Sequence, residues 1–100
     1  MIIYNVTVQM EPDIAEQWLG WMQQLHIPQV MATGCFTRYQ LVRLLETQPD
    51  EGTTYAIQYY AEGRPQVDEY LATHAPALRK EVEQTWGNKV FAFRTLMEVI

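Results

Sequence analysis

Apolar side chains recur at every second residue near both ends of this chain and at every third or fourth residue in two stretches between. No other feature of the sequence narrows the fold as much. Ile2-Ile3-Tyr4-Asn5-Val6-Thr7-Val8 is a β-rich run. Pro12 suits the first position of a helix, with Asp13 and Glu16 where the dipole favours acids. Ile14, Trp18, Trp21, Met22 and Leu25 then share one helical face, with Glu16, Gln17, Gln23 and Gln24 opposite. A break or kink is expected near Pro28, because proline removes a backbone donor and crowds the preceding turn. Gly34 is the expected left-handed stop after a last turn through Val30 and Met31.

The second half repeats the alternation. Cys35 to Leu45 is expected as a strand, with Thr37, Tyr39 and Leu41 on one side and Phe36, Arg38 and Gln40 on the other. Glu46 to Gly52, polar with Pro49 and Gly52, is the most loop-like stretch. Thr53 to Ala61 is a third strand, carrying Tyr55, Ile57 and Tyr59 on one face. Arg64-Pro65 opens a second helix with an apolar stripe of Val67, Leu71, Ala75, Leu78 and Val82, and Gly87 ends it. Phe91 to Ile100 is expected as a fourth strand that reaches the last residue. The order β-α-β-β-α-β predicts an α+β ferredoxin-like sandwich: an antiparallel four-stranded sheet with two helices on one face. Residues 1–100 are expected to form one domain. His26-Ile27-Pro28 recurs as His74-Ala75-Pro76, an offset of 48 residues and close to half the chain. A pseudo-twofold relation between the halves is therefore expected.

Two helices can cover only one face of such a sheet. Alternation assigns Tyr4, Val6, Val8, Tyr55, Ile57, Tyr59, Phe91, Phe93 and Met97 to the covered face. It leaves Ile3, Asn5, Thr7, Phe36, Arg38, Val42, Ala56, Gln58, Tyr60, Ala92, Arg94 and Leu96 on the open one. That open set is too apolar for a solvated surface, so a second copy packed against it is expected, making a homodimer.

Charge and composition exclude several partners. Seven Lys and Arg against twelve Asp and Glu give a net charge of −5. Nucleic acids and anionic membranes need a basic surface, so neither is an expected partner. One cysteine excludes an internal disulfide, and no Cys/His spacing resembles a zinc site, so no metal is assigned. The chain carries no leader pattern and no apolar run near the ~20 residues that span a bilayer, which points to the cytoplasm.

No phosphate loop, nucleophile elbow, metalloprotease helix or dinucleotide fingerprint is present, so no cofactor is assigned. The candidates are single residues. His26 and His74 lie in the apolar arcs of their helices, each two residues before a proline. Each is either a base or ligand at a pocket near the kink, or a partner for backbone that the proline disturbs. Asn5, Arg38, Gln58 and Arg94 are polar members of the expected open face. They could converge on a carboxylated or carbonyl-bearing ligand, or form hydrogen bonds at a dimer seam. Cys35 reads as a small buried apolar residue, and Trp18, Trp21 and Trp86 as core or pocket wall.

Several segments together resemble a family of bacterial proteins of about this length that is described only as a domain of unknown function. They are Met1 to Val8, His26 to Phe36, Thr53-Thr54-Tyr55, His74 to Arg79 and Phe91 to Leu96. More broadly the chain is similar to the dimeric α/β-barrel superfamily. That resemblance implies two ferredoxin-like sheets paired face to face, often with a ligand held between sheet and helices; for a binding or accessory domain of this kind, a small apolar or carboxylated molecule is the expected ligand. It implies no particular reaction. Haem-degrading and cofactor-independent mono-oxygenases of this type use a first-strand asparagine with a tryptophan and a histidine around the second helix. Asn5 and His74 are similarly placed, with Arg94 beside them in an enzyme of that kind, as an oxygenase or isomerase. The chain has no tryptophan between Trp21 and Trp86, so the set is incomplete.

Overall fold

The computed structural model describes residues 1–48, 50 and 52–100. Pro49 and Glu51, in the loop expected between the middle strands, lie outside the described residues. Four strands, β1 (Ile2–Met10), β2 (Arg38–Arg43), β3 (Thr53–Ala61) and β4 (Val90–Glu98), form one sheet in the order β2-β3-β1-β4. Every neighbouring pair is antiparallel. The connections between β1 and β2 and between β3 and β4 carry the helices. The fold is the α+β ferredoxin-like sandwich that the order of elements implies.

Both helical stretches contain a turn the sequence pattern does not announce. The first is α1 (Pro12–Trp21), a π-helical segment (Met22–His26) and α2 (Ile27–Ala32). The second is α3 (Arg64–Glu69), a π-helical segment (Tyr70–His74) and α4 (Ala75–Trp86). The Ile27 N–H reaches back to the Met22 carbonyl, and the Ala75 N–H to the Tyr70 carbonyl. These positions differ by the same 48 residues as the two His-x-Pro segments, so the pseudo-symmetry seen in sequence is a backbone symmetry. A π turn inserts a residue and advances the helix face. Met22 and Ile27, five apart, are both buried, as are Tyr70 and Ala75. Two stripe assignments are corrected for this reason. Leu25 and Leu71 turn outward (40% and 37% exposed), while His26 and Tyr70 turn in.

The faces of β1 and β3 follow the alternation expected, but β4 is inverted. In an antiparallel ladder, directly opposed residues share a face. Val90, Ala92, Arg94 and Leu96 oppose Met10, Val8, Val6 and Tyr4, so they face the helices. Phe91, Phe93 and Met97 oppose Gln9, Thr7 and Ile3 and lie on the open face. Hydrophobicity alone favoured the reverse, but the register is imposed by β1. The second strand is also shorter than expected, since Cys35 and Phe36 precede it. Phe36 is not on the open face. It is buried against Tyr4, Tyr59 and Tyr70, with ring centroids 6.0, 5.2 and 5.0 Å away.

The core lies between sheet and helices, around Trp18, Ile27, Ile57 and Val67. Trp18 stacks on Tyr55 at 5.2 Å. Gly52, entering β3, has φ +66°, and a Cβ there would collide with the Met10 carbonyl oxygen. Gly20, inside α1, has open space around its would-be Cβ and no positive φ. Gly52→Ala should therefore lower unfolding free energy by about 1–3 kcal/mol. Gly20→Ala should raise it by about 0.5–1 kcal/mol. Urea unfolding monitored by tryptophan fluorescence distinguishes the two, and equal effects would contradict the backbone account.

Candidate functional site

A cavity of about 50 Å³ lies between the sheet and the helices. Val6, Val8, Ile57 and Ala92 form its sheet wall, and Trp18, Met22, Leu78 and Val82 its helix wall. Ala92 helps make the space, because a small side chain faces the helices where a phenylalanine was expected. Val90 adds to the apolar lining, and the rest is polar: Tyr4, Tyr59, Tyr70, His26, Arg79 and Arg94.

Tyr4 organises this polar side. Its position on the central strand brings its hydroxyl within reach of two cations from different elements. Arg79 Nη2 from α4 donates to Tyr4 Oη at 3.0 Å, and Arg94 Nε from β4 donates at 3.2 Å. Both arginines are exposed, whereas Trp18 and Ile57 in the same lining are fully buried. The cavity thus has a cationic mouth and an apolar floor. Burial, reinforced by the neighbouring phenols, pushes the Tyr59 and Tyr70 hydroxyls up, so both stay protonated.

His26 sits inside the layer, 9% exposed, stacked on Trp21 at 5.3 Å with rings 15° apart. Trp86 meets Trp21 edge-on at 5.9 Å. Burial holds the imidazole below its usual range. Arg94 adds to that effect and Glu81 opposes it. Nδ1 is buried without a hydrogen-bond partner, so the ring does not repair the backbone near Pro28. His74 is half-buried beside Tyr70, at 6.4 Å between ring centroids, and is not part of the cavity wall.

The expected site residues therefore separate. Arg94, assigned to the open face from sequence, faces the helices because of the β4 register, and it joins His26 at the cavity. Asn5 points to the opposite side of the sheet, so Asn5, His74 and Arg94 are not brought together. Asn5 and Gln58 are direct cross-strand neighbours on the open face. Asn5 Nδ2 donates to Thr7 Oγ1 at 3.0 Å, and the Tyr60 hydroxyl lies 3.3 Å from Gln58 Oε1 and 3.4 Å from Gln40 Oε1. The Arg38 guanidinium stacks over the Tyr60 ring at 3.8 Å. Three of the four residues expected on this face are thus there, and the exposed pair Phe91 and Phe93 shares the face on β4. Tyr4 and Arg79 were missed as site residues. The available signal was Arg79 itself, a charge four residues after Ala75 within the apolar stripe.

A family model described as "Domain of unknown function (DUF4286)" matches residues 1–100. The chain belongs to this family. No reaction is assigned by that membership. No curated protein matches the chain by sequence. Among solved structures, an ethyl tert-butyl ether d (ethd) family protein from Bacillus halodurans C-125 is similar in fold, with TM-score 0.73 and 12% identity, over 100% of both chains. A dimeric ferredoxin-like protein from an uncultured marine organism gives TM-score 0.73 at 12% identity, covering 98% of this chain and 97% of the other. SnoaB, a cofactor-independent oxygenase from Streptomyces nogalater, gives 0.63 at 11% identity, covering 98% and 91%. At such identities the likeness is one of fold. Among the described residues, no helix is long and apolar enough to cross a membrane, and no group of three or more His, Cys, Asp and Glu side chains could hold a metal ion.

The state of His26 gives a test of its environment. An unfolded histidine titrates near 6.5, and this one titrates lower when folded. The stability it contributes is therefore complete above about pH 6.5 and is lost as pH falls from there through the folded value. The urea midpoint should drop between pH 7.5 and 5.5, and His26→Phe should reduce that drop. An unchanged pH dependence in the variant would show that His26 is not the group responsible.

Proposed function

We propose that this family member is a homodimeric binding domain that holds a small apolar molecule between sheet and helices. The cavity carries the reading. It is walled by aliphatic and aromatic side chains, as binding sites are, with a few polar groups at one side. Its volume is small, and a water-sized group occupies roughly 10–15 Å³ on such a measure. The space therefore suits about four such groups, which points to a short molecule or the short tail of one.

The open sheet face supports the dimer. Phe91 and Phe93 are 63% and 44% exposed, with centroids 6.2 Å apart, and Ile3 and Met97 lie further along the same face. Exposed aromatic pairs of this kind are usual at association surfaces. The stripe of Arg38, Gln40, Gln58 and Tyr60, on β2 and β3 across β1 from the aromatic pair, supplies polar groups suited to a self-complementary seam. The similar marine protein is itself described as dimeric and ferredoxin-like.

Light scattering should give twice the chain mass of 11.7 kDa. Phe93→Glu should reduce it to one chain while circular dichroism stays unchanged. A single-chain mass for the unaltered protein would refute the pairing.

Binding is tested separately by NMR titration with 1-butanol, an uncharged probe of suitable size. Saturable shifts at the Trp18 indole are expected, and Ala92→Phe should abolish them by filling the space. Absence of saturable shifts in the unaltered protein would refute the cavity as a binding site.

A further inference from the structure

The chemistry at the mouth of the cavity narrows the ligand class, on the premise that the cavity binds at all. A phenol oxygen has one hydrogen to donate and two lone pairs to accept with. At Tyr4, guanidinium donors from Arg79 and Arg94 take both lone pairs. The hydroxyl hydrogen is left over, and no acceptor for it occurs among the described residues. Each guanidinium also keeps most of its N–H donors unused. Neither is ion-paired: among the described residues the one salt bridge joins Arg64 and Asp68 on α3. Two unpaired cations and a spare hydroxyl donor therefore meet at one point, in a chain whose net charge is −5. Such a set has an excess of donors and of positive charge, and an anionic, oxygen-bearing group satisfies both.

We infer that Arg79, Arg94 and the Tyr4 hydroxyl form the binding site for the carboxylate of a short-chain aliphatic acid whose tail fills the apolar cavity. The arrangement favours a carboxylate over phosphate on two grounds. A planar carboxylate matches guanidinium forks and accepts charge-assisted hydrogen bonds from them. The adjoining space is apolar and narrow, so it rewards a hydrocarbon tail that inorganic phosphate lacks. With room for roughly four water-sized groups, the tail is limited to about three or four carbons.

Butyrate, butyramide, 1-butanol and inorganic phosphate, titrated at pH 7 by NMR, test the assignment. Butyrate should bind about tenfold or more tightly than butyramide and 1-butanol, with shifts at the Arg79 and Arg94 side chains. Arg79→Gln combined with Arg94→Gln should remove that preference, so that within the variant butyrate binds no more tightly than 1-butanol. Both arginines are exposed, so the variant should keep its circular dichroism spectrum. Affinity should rise from acetate to butyrate and fall again by decanoate. If butyrate and 1-butanol bind equally, the carboxylate site is refuted and the cavity reading survives. If phosphate competes as well as butyrate, the site is a general anion site and the assignment is likewise refuted. If none of the probes binds, both readings fall together. A steady gain in affinity up to decanoate would overturn the short-chain limit.

Discussion

The register of β1 is the constraint on which the rest of this structure depends. β1 is an inner strand, opposed residue for residue by β3 on one side and by β4 on the other. Once Tyr4, Val6 and Val8 face the helices, the face of every residue in both neighbours follows. Slipping β4 by one residue would exchange Ala92 and Arg94 for Phe91 and Phe93 beneath the helices. The cavity would be filled, Tyr4 would lose a cation, and the aromatic pair on the open face would disappear. One alignment therefore decides the internal site and the external surface together.

The helices solve a second problem in the same way twice. A regular helix crossing this sheet would carry its apolar stripe off the core, because Met22 and Ile27, or Tyr70 and Ala75, are five residues apart. The π turn brings both members of each pair inward. It also places His26 and Tyr70 inside the layer, where they contribute to the cavity. The prolines that follow the turns lack a backbone donor, and so do not restore regular bonding at once. His26 then remains a buried polar ring among tryptophans, with Nδ1 unpartnered. That is costly unless the imidazole stays neutral, and burial beside Arg94 keeps it so.

Polar groups on the two sides of the sheet serve different ends. On the open side, Arg38, Tyr60, Gln40, Gln58, Asn5 and Thr7 contact one another within and across the strands, with Asn5 Oδ1 left buried and unpartnered. On the helix side, Arg79, Arg94 and Tyr4 are left with surplus donors. The two sides thus differ in how their polar groups are used, paired with one another on one and in surplus around Tyr4 on the other.

Periodicity in the sequence was enough to determine the order of elements, and with it the ferredoxin-like sandwich. The helix-opening prolines, the stops at Gly34 and Gly87 and the repeat of His-x-Pro were all legible, because they express local backbone preferences. The faces of β1 and β3 were legible too, since each alternates apolar residues against polar ones. The face of β4 was not, because Phe91-Ala92-Phe93-Arg94 offers two plausible alternations and only pairing with β1 chooses between them. Nor were the π turns, whose inserted residue shifts Leu25 and Leu71 outward against the expected stripe. Arg94 could be recognised as a polar group of interest, but its meeting with Arg79 at Tyr4 joins residues 75 and 90 positions apart. Sequence alone thus determined which elements form and in what order, since those are local and periodic properties. Tertiary structure decided which side chains share a space, because register between distant strands is set by packing that no local pattern contains.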